Sequence, residues 1–164
     1  MYYFAYGSNM SIARLRARAP GAVSLGCYVL WEHDLRFHKS SDDGSGKCDA
    51  YFTANCEDSI YGVLFNLDAG DKSALDRVEG LGYGYDEKKV TVIAGSGAQV
   101  TAATYIATHI DESLGPYAWY ANHVLVGARE AALPGDYIQK KIEAVATVED
   151  YDRERDARQR AVHS

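Results

Sequence analysis

The segment Tyr6-Gly7-Ser8-Asn9-Met10 puts a glycine turn between a short aromatic run and a helix start. Such a turn aims several backbone N–H groups into one space, and the helix end adds partial positive charge. That arrangement suits a carboxylate or a developing oxyanion. The bland reading is an ordinary strand–helix turn, because short glycine turns are common. No Gly-Lys-Ser/Thr follows, which excludes a nucleotide P-loop.

Glu79 stands in the last turn of a helical pattern, just before the stop residue Gly80. An acid there meets the negative end of the helix dipole. That field disfavours the charged form and favours proton uptake, as a general acid/base near neutral pH requires. The alternative is a solvated glutamate at a frayed helix end. Tyrosines surround this stretch in sequence: Tyr83 and Tyr85 follow it, Tyr105 lies in a later strand, and Tyr117 and Tyr120 open the next helix. The chain has 13 tyrosines against 4 phenylalanines, an excess that suits either a polar-lined cavity or tyrosine-rich strands.

Other chemistries find less support. The five histidines (His33, His38, His109, His123, His163) lack metal-ligand spacing. Asp42-Asp43-Gly44-Ser45-Gly46 lacks the downstream glutamate and flanking helices of a calcium loop and reads as a hairpin loop. Lys47 beside Cys48 could activate a thiol, but no paired histidine is identifiable. No metal or cofactor is therefore expected.

The elements that must hold these residues can be read in order. Tyr2 to Tyr6 is a strand, and Ser11 caps a short helix that Pro20-Gly21 ends. Residues 22–38 form one or two strands around a bend near Glu32-His33-Asp34, and strands follow at 49–53 and 60–65. A helix over 68–79 takes Asp68 or Asp71 as its cap. Strands 89–93 and 100–107 pair across Gly95-Ser96-Gly97, and helices cover 116–132 and 134–145. The tail from Glu149 to Ser164 alternates acids and arginines without apolar periodicity. It is expected to be a frayed, solvated, flexible tail on a single domain of residues 1–148. Strands come mostly first and helices late, so the class is α+β.

Composition fits one soluble domain: 164 residues, 47% hydrophobic and 24% charged. A net charge of −6 argues against nucleic acid and against anionic membrane surfaces. No apolar run approaches the roughly 20 residues of a membrane helix. The start Met1-Tyr2-Tyr3-Phe4-Ala5-Tyr6 lacks the pattern of a secretory leader. Three cysteines, Cys27, Cys48 and Cys56, form no CxxC pair, so reduced thiols in the cytoplasm are expected. A homodimer is compatible with all of this.

Three blocks in order resemble the γ-glutamylcyclotransferase family. They are Tyr6-Gly7-Ser8-Asn9-Met10, the helix ending in Glu79-Gly80, and Gly127-Ala128-Arg129-Glu130 with Leu133-Pro134 and Tyr137. The likeness runs from Tyr3 to about Ile142. It implies a small mixed β-barrel flanked by helices, and release of 5-oxoproline from a small γ-glutamyl compound. It also implies a substrate-binding loop at Tyr6, Gly7, Ser8, Asn9 and Met10, in which Gly7 and Ser8 supply N–H donors. Glu79 would be the catalytic acid/base. Tyr105 and Tyr120 fit the family's tyrosine positions. Tyr85 fits a third if one residue is deleted after Glu79, with Tyr83 as the alternative. The Gly-Ser-Asn form resembles the general γ-glutamylcyclotransferases, whereas glutathione-specific and γ-glutamylamine relatives show leucine after Gly-Ser or Gly-Thr. Two other readings stay open: deprotection of a γ-glutamyl acyl-carrier intermediate, and a non-enzymatic binding protein with the same pocket.

Overall fold

The computed structural model describes residues 1–164. Its centre is a closed five-stranded barrel in the order β1-β5-β2-β6-β7. The strands are β1 (Tyr2–Ala5), β2 (Val23–Trp31), β5 (Ser59–Asn66), β6 (Tyr85–Ala94) and β7 (Gln99–Ala107). All neighbours are antiparallel except β1 and β7, whose parallel contact at Tyr3↔Ala103 closes the barrel. Closure removes the exposed strand edges that an open sheet would leave. The expected α+β class and mixed barrel with flanking helices are what the chain forms.

The bend near Glu32 separates two strands, with Glu32 itself at φ 65°. Beyond it, β3 (His33–Ser40) and β4 (Gly46–Phe52) form a separate hairpin whose loop is Ser41–Ser45. Backbone bonds tie this hairpin to the segment after β7: Ser40 N to His109 O at 2.9 Å, Asp111 N to His38 O at 2.8 Å, and Gly46 N to Gly115 O at 2.9 Å. The Asp49 carboxylate accepts from Ala107 N at 2.8 Å and meets His38 Nε2 at 2.7 Å.

The helices pack around the barrel. Ser11 caps α1 (Ile12–Arg16) by accepting from Arg14 N. Asp68 caps α2 (Ala69–Glu79) by accepting from Asp71 N, and Gly80 ends it in the left-handed conformation. α3 (Ala118–Glu130) lies against the Ser8–Met10 turn. Gly127 makes this approach feasible: a Cβ there would stand 2.4 Å from Ser11 N and 2.5 Å from Met10 C. α4 (Gly135–Ile138) runs into a π turn over Gln139–Glu143.

The tail departs from the frayed segment expected of it. It carries α5 (Arg153–Arg160), capped by Asp152. Buried Asp150 accepts from Trp119 Nε1 at 2.8 Å and from Arg155 Nε at 2.6 Å. The polar anchors that dock it escape any search for apolar periodicity. No helix is long and apolar enough to cross a membrane.

Candidate active site

Glu79, the last residue of α2, stands where β1 hands over to the Tyr6–Met10 turn. Gly7 lies so close to β4 that an added Cβ would come 2.9 Å from Cys48 Cβ. Within the turn, Met10 N donates to Gly7 O at 3.1 Å. The N–H groups of Ser8 and Asn9 precede the first bond and have no acceptor inside the turn, so they remain available to a ligand.

The side chain of Asn9 is spent within the protein. Its Nδ2 donates to Glu79 Oε1 at 2.8 Å and to Tyr3 Oη at 3.1 Å. Its Oδ1 accepts from Arg18 Nη1 at 3.2 Å, and the same Nη1 reaches Glu79 Oε1 at 3.2 Å. Glu79 is thus mostly buried and ion-paired, with side-chain exposure of 15%. The Arg18 guanidinium opposes the helix-end field on which the sequence argument rested. Both bonds fall on Oε1, so Oε2 is the oxygen left for another partner.

A narrow cleft with room of about 30 Å³ opens in front of Glu79. Tyr6, Gly7, Ser8 and Asn9 form one wall; Tyr3, Cys48, Tyr85, Tyr105 and Tyr120 complete it. The hydroxyl protons of three tyrosines are already committed. Tyr6 donates to Tyr105 O, Tyr85 to Cys48 O at 2.8 Å, and Tyr105 to Asp76 Oδ1. Asp76 also pairs with buried Lys72, whose Nζ reaches Glu87 Oε1 at 2.6 Å. Tyr120 instead accepts from Cys48 N at 3.0 Å, and Tyr3 accepts from Asn9. Those two hydroxyls keep a proton to give. Burial pushes the Tyr120 hydroxyl well above its ordinary pKa, so it stays a neutral donor.

Most of the residues singled out in the sequence converge here. Tyr85 lines the cleft and is buried, whereas Tyr83 is 83% exposed. Met10 does not line it; the side chain is buried away from the cleft, beside the α3 glycine. Tyr117 caps α3 and donates to Asp43 O at 2.8 Å, outside the cleft. Cys48 is a wall rather than a nucleophile, since burial pushes its thiol up to about 12. Lys47 turns to Asp43 Oδ2 at 2.7 Å and Ser45 Oγ at 2.6 Å, so it does not activate that thiol. Sequence reasoning missed Tyr3 and Arg18. Arg14 and Arg18, four residues apart beside the turn, were the available hint for the second.

A family model for the AIG2-like family matches residues 59–140. The γ-glutamylcyclotransferase of Bos taurus is 33% identical over 148 residues, covering 87% of this chain and 77% of its own length. The chain belongs to the γ-glutamylcyclotransferase family. The Mus musculus γ-glutamylcyclotransferase is 32% identical over the same shares of both chains. A solved γ-glutamyl cyclotransferase superposes with a TM-score of 0.84 at 27% identity, covering 92% of this chain and 90% of the other. The family likeness therefore extends over the barrel, the turn and the helices that meet at the cleft.

Proposed function

We propose that this protein is a cytoplasmic γ-glutamylcyclotransferase that releases 5-oxoproline from a γ-glutamyl amino acid or a related γ-glutamyl compound. The observation that carries this reading is Glu79: a carboxylate at the cleft wall, held through Oε1 by Asn9 and Arg18, with Oε2 free of protein partners. The reaction needs one proton shuttle and no protein nucleophile. Glu79 Oε2 takes a proton from the substrate's α-ammonium. The freed amine attacks the γ-carbonyl carbon and closes a five-membered ring. The carbonyl oxygen becomes an oxyanion facing the N–H groups of the Gly7–Asn9 turn, a donor type worth about 3 kcal/mol each in such a site. As the intermediate collapses, Glu79 gives that proton to the departing nitrogen; it then takes the second proton from the ring nitrogen and passes it to the released amine, which leaves as the ammonium, so Glu79 returns to its starting form.

The tight cleft supplies the remaining rate. Folding the substrate so that amine meets carbonyl draws on effective molarities of roughly 10⁵–10⁸ M. Tyr120 and Tyr3 hold protons for the substrate's carboxylate, while Tyr6, Tyr85 and Tyr105 shape the walls. Three unpaired cysteines, one of them exposed, suit a reducing compartment. The net charge of −6 suits a small-molecule substrate better than nucleic acid.

The direct test is 5-oxoproline release from γ-glutamyl-alanine, glutathione, γ-glutamyl-ethylamine and a γ-glutamyl thioester. The dipeptide is expected to react, and faster than glutathione. Glutathione outpacing every dipeptide would reverse the subfamily reading, and a preference for the thioester would favour deprotection of a carrier-bound chain. No release from any of them would leave a binding protein.

A further inference from the structure

A second, wider groove adjoins the cleft and shares Glu79 with it. Its walls are Lys39 to Asp42 at the end of β3, the turn after α2 with Gly84, and His109. Lys39 is 9% exposed, yet its ammonium makes no hydrogen bond or ion pair. Nζ sits 4.7 Å from the centre of the Tyr85 ring and 3.1 Å from where a Gly84 Cβ would stand. A buried lysine without a partner is uncommon, because losing its hydration is costly. Burial lowers its pKa, and the charge that opposes this most strongly is Glu79, ahead of Asp42 and Asp43. Tyr85 gives the ammonium a π face but no acceptor, so its three N–H donors remain to be used.

Glu79 must reach both the attacking amine and the departing nitrogen. With the γ-glutamyl half in the inner cleft, the leaving half emerges beside Glu79 into this groove. We propose that Lys39 reads that leaving half, binding a carboxylate borne on the carbon next to the departing nitrogen. This rests on the cyclotransferase reading and adds a specificity residue to it. An α-amino acid carries such a carboxylate, a simple amine lacks one, and in glutathione the position is an amide. Free carboxylate next to the scissile bond is thus the feature selected, and the inner cleft is indifferent to it.

The test compares kcat/KM for γ-glutamyl-L-alanine and γ-glutamyl-L-alaninamide, which differ only in that carboxylate. The wild-type protein is expected to prefer the acid by about 10- to 100-fold, the usual weight of a hydrogen bond to a charged group. In Lys39→Gln the ratio should fall to within about three-fold of one, and Lys39→Arg should restore most of it. A wild-type ratio near one overturns the proposal without any variant. So does a Lys39→Gln protein, folded by circular dichroism, that loses activity equally on both substrates, since that marks a structural or catalytic lysine. If neither substrate yields 5-oxoproline, the cyclotransferase reading itself fails; if both react without discrimination, only the role of Lys39 fails.

Discussion

At Glu79 two fields oppose each other. The carbonyl end of α2 repels its negative charge, while Arg18 attracts it from 3.2 Å. The cleft tyrosines divide by what their protons are doing. Tyr105 spends its hydroxyl hydrogen bond on Asp76, so Tyr105→Phe should chiefly loosen the link between α2 and β7 and lower the melting temperature. Tyr120 keeps its proton, so Tyr120→Phe should raise KM for the dipeptide by about 10- to 100-fold, equivalent to ~1.5–3 kcal/mol. It also leaves Cys48 N–H without its acceptor, so some destabilisation accompanies it. Steady-state kinetics and melting curves on both variants check the division. A larger KM effect at Tyr105 would mean that its hydroxyl leaves Asp76 for the substrate. No sequence pattern distinguishes these two tyrosines, because only their distant partners do.

Among the elements, the tail helix carries its own pH dependence. His123 on α3 is buried and touches Gln159 Oε1 at 3.0 Å and His163 Nε2 at 2.6 Å. Arg14 and Arg18 face it as well, and burial first, then these cations, hold its pKa near 4 against an ordinary 6.5. Between these values the unfolded chain takes up a proton that the folded chain refuses. Stability must therefore fall as the solution is acidified from about pH 6.5 towards pH 4 and level off below. The loss from this group should be on the order of 1–2 kcal/mol, allowing for water that reaches the site. His123→Gln, which cannot take the charge, should flatten that part of a melting-temperature profile; an unchanged slope would assign the acid sensitivity elsewhere. The tail could not be read from sequence for the same reason: its anchors are Asp150, Arg155, Gln159 and His163, and α5 buries none of its own residues. By contrast, the α2 boundaries were legible from Asp68 and Gly80, because caps are local chemistry.

For the whole molecule, strands and helices followed from local pattern, but barrel closure did not. The decisive contact joins Tyr3 to Ala103 in parallel, a hundred residues apart, and no periodicity in either strand encodes the partner. The candidate site was legible where a residue type offends a local rule, as Glu79 does at its helix end, or where a glycine turn opens. Tyr3 and Lys39 offend no rule and become visible only when β1, α2 and β3 are brought together. On the proposed mechanism, the two ends of the reaction meet at the Glu79 carboxylate. Turnover by Glu79→Gln probes that arrangement most directly, because glutamine keeps the size and can still accept from Asn9 and Arg18. The variant is expected to melt near the wild-type temperature, to bind 5-oxoproline, and to turn over γ-glutamyl-alanine about 10²- to 10⁴-fold more slowly, the usual weight of general acid–base catalysis. A folded Glu79→Gln protein with turnover near that of the wild type would contradict the proton shuttle at the centre of the mechanism.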